Sequence, residues 1–247
     1  MPRLAANLSW MFQEWPFLDR FAAAADAGFT AVEYLFPYDF DPGDIVARLE
    51  THKLQQVLFN AAPGDFAVGE RGIAAFPERR AEFRSALATA LDYAKATGTP
   101  RLHVMAGVAS GAVALDSYKE ALRIACEAGP QLDILIEPIN GRDIPGYLMN
   151  SFDLAAQIID ELKLSNLKLQ FDIYHRQIIQ DDLQPGIAEL FPIIGHVQVA
   201  SPGRNEPGPA EIAAMHELDA LGYAGWVGCE YRPATTTLEG LGWRSLL

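Results

Sequence analysis

Four side chains that could hold or move charge stand at equivalent places in this sequence, each at the end of or late in a short apolar run. Glu137 follows DILI, Asp172 closes LKLQFD, Gln198 sits in GHVQVA and Glu230 closes WVGCE. If those runs are neighbouring strands of one barrel, their ends converge on the axis, and three carboxylates and one amide share a common volume. Carboxylates packed together without a counterion repel, and some take up protons at neutral pH. A hard divalent cation removes that cost, and an all-oxygen set suits Mg²⁺ or Mn²⁺ better than zinc. The competing account makes each acid a helix cap or the partner of a surface arginine. Four successive runs of the same design weigh against it.

Other candidates surround this set. His175, three residues after Asp172 in DIYH, either touches substrate or holds a carboxylate in place. Arg204, in GRNEPGP, could grip a substrate carboxylate with two parallel hydrogen bonds, or pair with Glu206. Glu70 and Arg71 lie in a long Gly- and Pro-rich connection from Asn60 to Pro77 and are further candidates for substrate contact. Long connections in compact domains are usually functional or disordered, so this one is expected to form a lid. Glu33 is a weaker candidate, because Tyr34 and Leu35 could continue its strand. His103 and His196 fall inside strands and read as packing groups; His52 and His216 fall on helices.

Short apolar runs alternate eight times with longer amphipathic stretches, and these are the elements that must position the candidates. The expected strands are Leu4–Leu8, Ala31–Leu35, Gln55–Phe59, Arg101–Met105, Asp133–Ile136, Leu167–Phe171, Gly195–Val199 and Trp226–Cys229. Helical spacing marks Pro16–Ala27, Phe83–Thr97 and Asp153–Leu162, the last preceded by Ser151 as a cap. Strands alternating with helices imply right-handed crossovers and a parallel sheet. Leu8–Ser9–Trp10–Met11 contains no glycine, so the phosphate loop of an open dinucleotide-binding sheet is missing. The expectation is one (β/α)8 TIM barrel spanning residues 1–247.

Composition narrows the partners. A net charge of −13 with no basic run argues against nucleic acid, because phosphate binding needs concentrated Lys and Arg. No stretch approaches the ~18 apolar residues of a membrane span. Cys126 and Cys229 are the only cysteines, without metal-ligand spacing, which suggests a reducing, cytoplasmic setting.

Longer motifs carry a resemblance. ANLSWMF, VEYLFPYDF, PGDFAVGERGIA, IEPIN with DIPGY, FDIYH, HVQVA with GRNEPG, and GCEYRP are similar to the hydroxypyruvate isomerase family over nearly the whole chain. HVMAGV and LEGLGW are nearer to relatives acting on 2-oxo-tetronate, whereas IEPINGRDIPGY is nearer to the hydroxypyruvate branch. The resemblance implies a xylose isomerase-like barrel in which Glu137 and Glu230 donate and accept the proton. It also implies one divalent ion held by Glu137, Asp172, Gln198 and Glu230, with no organic cofactor. The substrate would be a small hydroxy-keto acid whose carbonyl moves one carbon through an enediolate. Association into homo-oligomers is common among such barrels, and nothing in this sequence specifies it. A sugar epimerase, a metal-dependent DNA-repair endonuclease and a non-catalytic binding barrel are the competing readings.

Overall fold

The computed structural model describes residues 2–247. Eight parallel strands close into a barrel in sequential order. They are β1 (Arg3–Asn7), β2 (Ala31–Glu33), β3 (Gln55–Asn60), β4 (Arg101–His103), β5 (Asp133–Ile136), β6 (Leu167–Asp172), β7 (Ile194–Val199) and β8 (Trp226–Cys229). The helices are α1 (Arg20–Asp26), α2 (Pro42–His52), α3 (Arg80–Thr97), α4 (Ala112–Ala128), α5 (Phe152–Leu162), α6 (Ile173–Ile179), α7 (Leu183–Leu190) and α8 (Pro209–Ala220). After β8 the chain forms a 3-10 segment, Glu239–Leu246, where an eighth outer helix would complete the ring.

All eight expected strands are present, with ends shifted by one or two residues. β2 and β4 are shorter than their apolar runs suggest. Tyr34, like Val104 and Met105, is buried by packing in the turns above the strands rather than by pairing in the sheet, and Leu35 is half-buried there. Local chemistry sets several helix boundaries. Ser151 caps α5 by accepting from Leu154 N at 3.3 Å. Asp41 caps α2 through Gly43 N at 2.7 Å, with Pro42 pre-set in its first turn. The stretch read as one helix from Pro16 is a 3-10 turn, Phe17–Asp19, followed by α1.

Alternation sends every second strand residue into the barrel. The lower interior is apolar: Ala5, Ala31 and Val57 from β1 to β3 pack with Trp226 of β8 as a cluster of their own. Two positions further along the same strands the interior turns polar. Asn7 registers with Glu33, and Asp172, Gln198 and Gly228 lie in register across β6, β7 and β8. Gly228 has no side chain there for a steric reason. A Cβ at that position would collide with the carboxylate of Glu33, which reaches across from β2.

The Asn60–Pro77 connection departs from the expected lid. Ile73, Ala74 and Ala75 are buried, Gly72 N donates to Pro63 O at 2.9 Å, and Ala75 N donates to Ala106 O at 2.9 Å. Gly72, with φ of +118°, packs so closely on the Met105 carbonyl that no side chain would fit. Only the tip around Phe66 and Val68 stands out into solvent.

Candidate active site

The carboxylates meet at the C-terminal end of the barrel, and each is aimed by the element that carries it. Asp172 ends β6 and is at once the N-cap of α6, its Oδ1 accepting from Tyr174 N at 2.9 Å. That bond leaves Oδ2 facing inward, 3.0 Å from Arg204 Nη1 and 3.6 Å from His175 Nε2. Glu230 follows β8; its Oε1 accepts from Trp10 Nε1 at 3.1 Å and its Oε2 from Arg204 Nη1 at 3.0 Å. Glu137 follows β5 and faces two imidazoles, His103 Nδ1 at 3.5 Å and His175 Nε2 at 3.8 Å. All three acids are buried.

Arg204 reaches the cluster because the backbone after β7 turns sharply. Gly203 and Arg204 both have positive φ, +84° and +59°, and Arg204 O accepts from Arg232 N at 2.7 Å. One guanidinium therefore lies between two carboxylates with a third nearby, over the ring of Tyr174 at 4.1 Å. The alternative pairing with Glu206 is absent; Glu206 instead accepts from Ala234 N at 2.7 Å.

The charge balance shapes the titration of the site. Burial, and then the neighbouring Asp172 and Glu230, push the Glu137 carboxyl well above the ordinary range. Burial pushes Glu230 up to about 8, with Asp172 adding to the rise and Arg204 opposing it. Burial also raises Asp172, against the pull of Arg204 and the Tyr174 N–H. Burial, and then Arg204, hold His175 well below the usual imidazole value, and burial takes His103 down to about 3. Three acids with one cation between them and two neutral imidazoles alongside form a site whose protons are easily redistributed.

A cavity of about 400 Å³ opens above this cluster, lined by Glu137, Glu230, Arg204 and His175 together with Trp10 and Tyr174. Arg71 and Arg232 line its mouth from opposite loops, Arg71 against the Phe66 ring at 3.8 Å and Arg232 against Trp10 at 5.0 Å. Neither is ion-paired among the described residues. Glu70 was expected to contact substrate but does not line the cavity. It accepts from Asp65 N at 2.5 Å and pairs with Arg79, so it braces its own loop.

Gln198, in register with Asp172, lies like it outside the cavity lining, and its amide is bonded on both sides. Its Oε1 accepts from Gln170 Nε2 at 2.6 Å and its Nε2 donates to Glu33 Oε1 at 2.8 Å. Glu33, the weaker candidate, is likewise outside the cavity lining, where it also accepts from Asn7 Nδ2 at 2.9 Å and meets His196 Nε2 at 2.6 Å. Sequence reasoning missed Trp10, Asn140, Tyr174 and Arg232 as site residues, because all four lie outside the strands whose pattern led to the acids. It also placed His103 with packing groups. The structure puts that ring beside Glu137 with both nitrogens unbonded.

Two buried glutamates, Glu137 and Glu230, line a cavity at the C-terminal mouth of a closed (β/α)8 barrel, the face on which barrel enzymes carry their active sites. The chain belongs to the xylose isomerase-like TIM barrel family, whose model matches residues 21–245. It is 49% identical to a 2-oxo-tetronate isomerase of Cupriavidus necator, over 98% of this chain and 97% of that protein. It is 42% identical to the hydroxypyruvate isomerase of Escherichia coli, with 98% of each chain covered. A crystal structure from Brucella melitensis, titled as an AP endonuclease of family 2, superposes with a TM-score of 0.96 at 43% identity, covering 99% of this chain and 98% of that one.

Proposed function

We propose that this enzyme is an isomerase that interconverts a small 2-oxo-hydroxy acid and its carbonyl-shifted isomer, with 2-oxo-tetronate as the preferred substrate and hydroxypyruvate as the shorter analogue. The observation that carries the reading is the approach of Glu137 and Glu230 to one cavity from strands on different sides of the barrel axis. The names and near-full-length identities of the relatives support it. Endonuclease action is not carried over from the Brucella structure, because a net charge of −13 opposes a polyanionic substrate.

For 2-oxo-tetronate the balance is simple. One glutamate removes the proton from C3, the electron pair forms an enediolate across C2 and C3, and the other glutamate returns a proton to C2. The C3 hydroxyl becomes a carbonyl as the C2 carbonyl becomes a hydroxyl, the proton that leaves O3 being matched by one taken up at O2. The raised pKa values suit this work, since a carboxyl that titrates near neutrality can both release and take up a proton. Arg204 offers charge to the developing oxyanion, while Arg71 and Arg232 at the mouth suit the substrate carboxylate.

A divalent ion fits the donor set. Glu137 and Asp172 offer oxygens within 4.8 Å of each other beside the His175 ring, and Arg204 alone leaves the three carboxylates short of positive charge. Glu137 and Asp172 would hold such an ion with Glu230; Gln198 would have to share an amide oxygen already bonded to Gln170. Mg²⁺ or Mn²⁺ held there would polarise the carbonyl and stabilise the enediolate charge. Two buried, unpaired thiols, Cys126 and Cys229, support a cytoplasmic setting.

The test is a product assay on both acids in deuterated water. Isomerised product carrying solvent deuterium at the newly protonated carbon is the expected result. Product that keeps the substrate's own hydrogen entirely would indicate a hydride shift and remove both glutamates from these roles.

A further inference from the structure

His175 is held from behind by Asn140, and the contact is unusually informative about where its proton sits. Asn140 follows β5 and is buried. Its Oδ1 accepts from two backbone groups, Arg142 N and Asp143 N, both at 3.0 Å. Its Nδ2 donates to Asp143 Oδ2 at 3.1 Å, so the amide has only one sensible orientation. Turning it over would set an NH2 against two N–H groups and an oxygen against a carboxylate.

In that orientation the amide turns its Nδ2 toward His175 Nδ1 at 2.7 Å, and the backbone N–H of Asn140 donates to the same atom at 3.2 Å. Two donors on one ring nitrogen require that nitrogen to carry the lone pair. A neutral imidazole must then carry its hydrogen on Nε2. On that side the acidic oxygens stand just out of reach, Asp172 Oδ2 at 3.6 Å and Glu137 Oε1 at 3.8 Å. What does stand within reach is a second donor, Arg204 Nη2, at 2.9 Å. Two N–H groups that close cannot satisfy each other. An oxygen acceptor seated in the cavity above them would satisfy both.

The geometry points to Asn140 as a positioning residue that locks His175 in its Nε2–H form, so that His175 and Arg204 present convergent donors to a single oxygen of the ligand. Assigning that oxygen to the carbonyl that becomes the enediolate rests on the isomerase reading above; the lock itself does not. The same lock removes His175 from any set of metal ligands, because Nε2 has no lone pair to offer and Nδ1 is covered by Asn140.

The experiment is nitrogen NMR of the imidazoles in the full-length protein without substrate. The chain has five histidines, and His175→Gln identifies the resonance pair of interest. Protonated and lone-pair ring nitrogens give widely separated signals, and the expected result is a proton on Nε2. Asn140→Asp keeps the acceptor for Arg142 N and Asp143 N but turns a second acceptor toward Nδ1. It should draw the proton to Nδ1 and lower kcat about 100-fold with KM nearly unchanged, the loss that follows removal of one donor to a developing oxyanion. Asn140→Ala keeps the backbone donor and should keep the tautomer, with a loss of about tenfold or less. Thermal unfolding of both variants separates a folding defect from a tautomer change. A proton found on Nδ1 in the unaltered protein, or a tautomer indifferent to Asn140→Asp, would overturn the assignment. An Nε2–H form in a protein that turned over neither acid would support the lock and remove the proposed reaction instead.

Discussion

Two buried polar clusters sit one above the other in the same barrel, and they differ in how their charge is answered. In the lower one, Glu33 accepts from Asn7 and Gln198 and meets His196, and Gln170 completes the chain. Only its fringe, His196 Nδ1 and Gln170 Oε1, lacks partners. In the upper one, three acids share one arginine, Glu137 meets its neighbours only at 3.5 Å and beyond, and His175 turns a donor toward a donor. Burial is similar in the two clusters, so depth is not what distinguishes them. A buried carboxylate surrounded by donors holds strands together, whereas carboxylates left short of donors have raised pKa values and can exchange protons nearer neutrality.

The sharpest way to break this contrast is to alter the two acids proposed to exchange protons and one acid of the lower cluster. Glu137→Gln and Glu230→Gln keep shape and remove proton exchange. Each should lower kcat roughly 10²–10⁴-fold while moving Tm by only a few degrees, with metal content measured on each variant. Glu33→Ala should act in the opposite way. It strands three donors in the barrel interior and should cost about 3 kcal/mol, which corresponds to a Tm lower by roughly 6–12 °C for a chain of this size. Calorimetry on the three variants tests the division; equal losses of Tm would erase it.

A smaller effect sharpens the contrast through pH. Glu230 titrates at about 8 in the folded protein, against 4.5 ordinarily, because burial and then Asp172 disfavour its charge despite Arg204. Between those values the folded chain keeps a proton that the unfolded chain has shed. The associated stability is therefore fully present below pH 4.5 and is lost as pH rises through about 8. Its slope cannot exceed about 1.4 kcal/mol per pH unit for a single proton. Chelator-treated protein should show Tm declining across that window, and Glu230→Gln should flatten the decline. An unchanged slope in the variant would assign the proton to Glu137 or Asp172.

Much of this arrangement was legible in the sequence because it obeys alternation. Acids at the ends of apolar runs identified Glu137, Asp172 and Glu230, and eight such runs separated by helical stretches specified the barrel. Alternation also brought Gln198 into register with Asp172, but it says nothing of the bonds its amide makes to Gln170 and Glu33. Glu70 and Arg71 looked equivalent in the sequence. The path of the loop separates them, turning Glu70 toward Arg79 and leaving Arg71 at the cavity. Asn140 gave no periodic signal at all, because its importance lies in which way an amide faces.

Gly228 and Glu33 occupy what is in effect one place, since the carboxylate fills the space a β8 side chain would need. For the history of such a barrel this has a consequence at the level of inheritance. A larger residue at 228 is admissible only in a lineage that has already given up the carboxylate at 33, and a lineage that keeps the carboxylate is bound to glycine. Two codons far apart in the sequence thus behave as a single heritable character, and the order in which they can change runs one way.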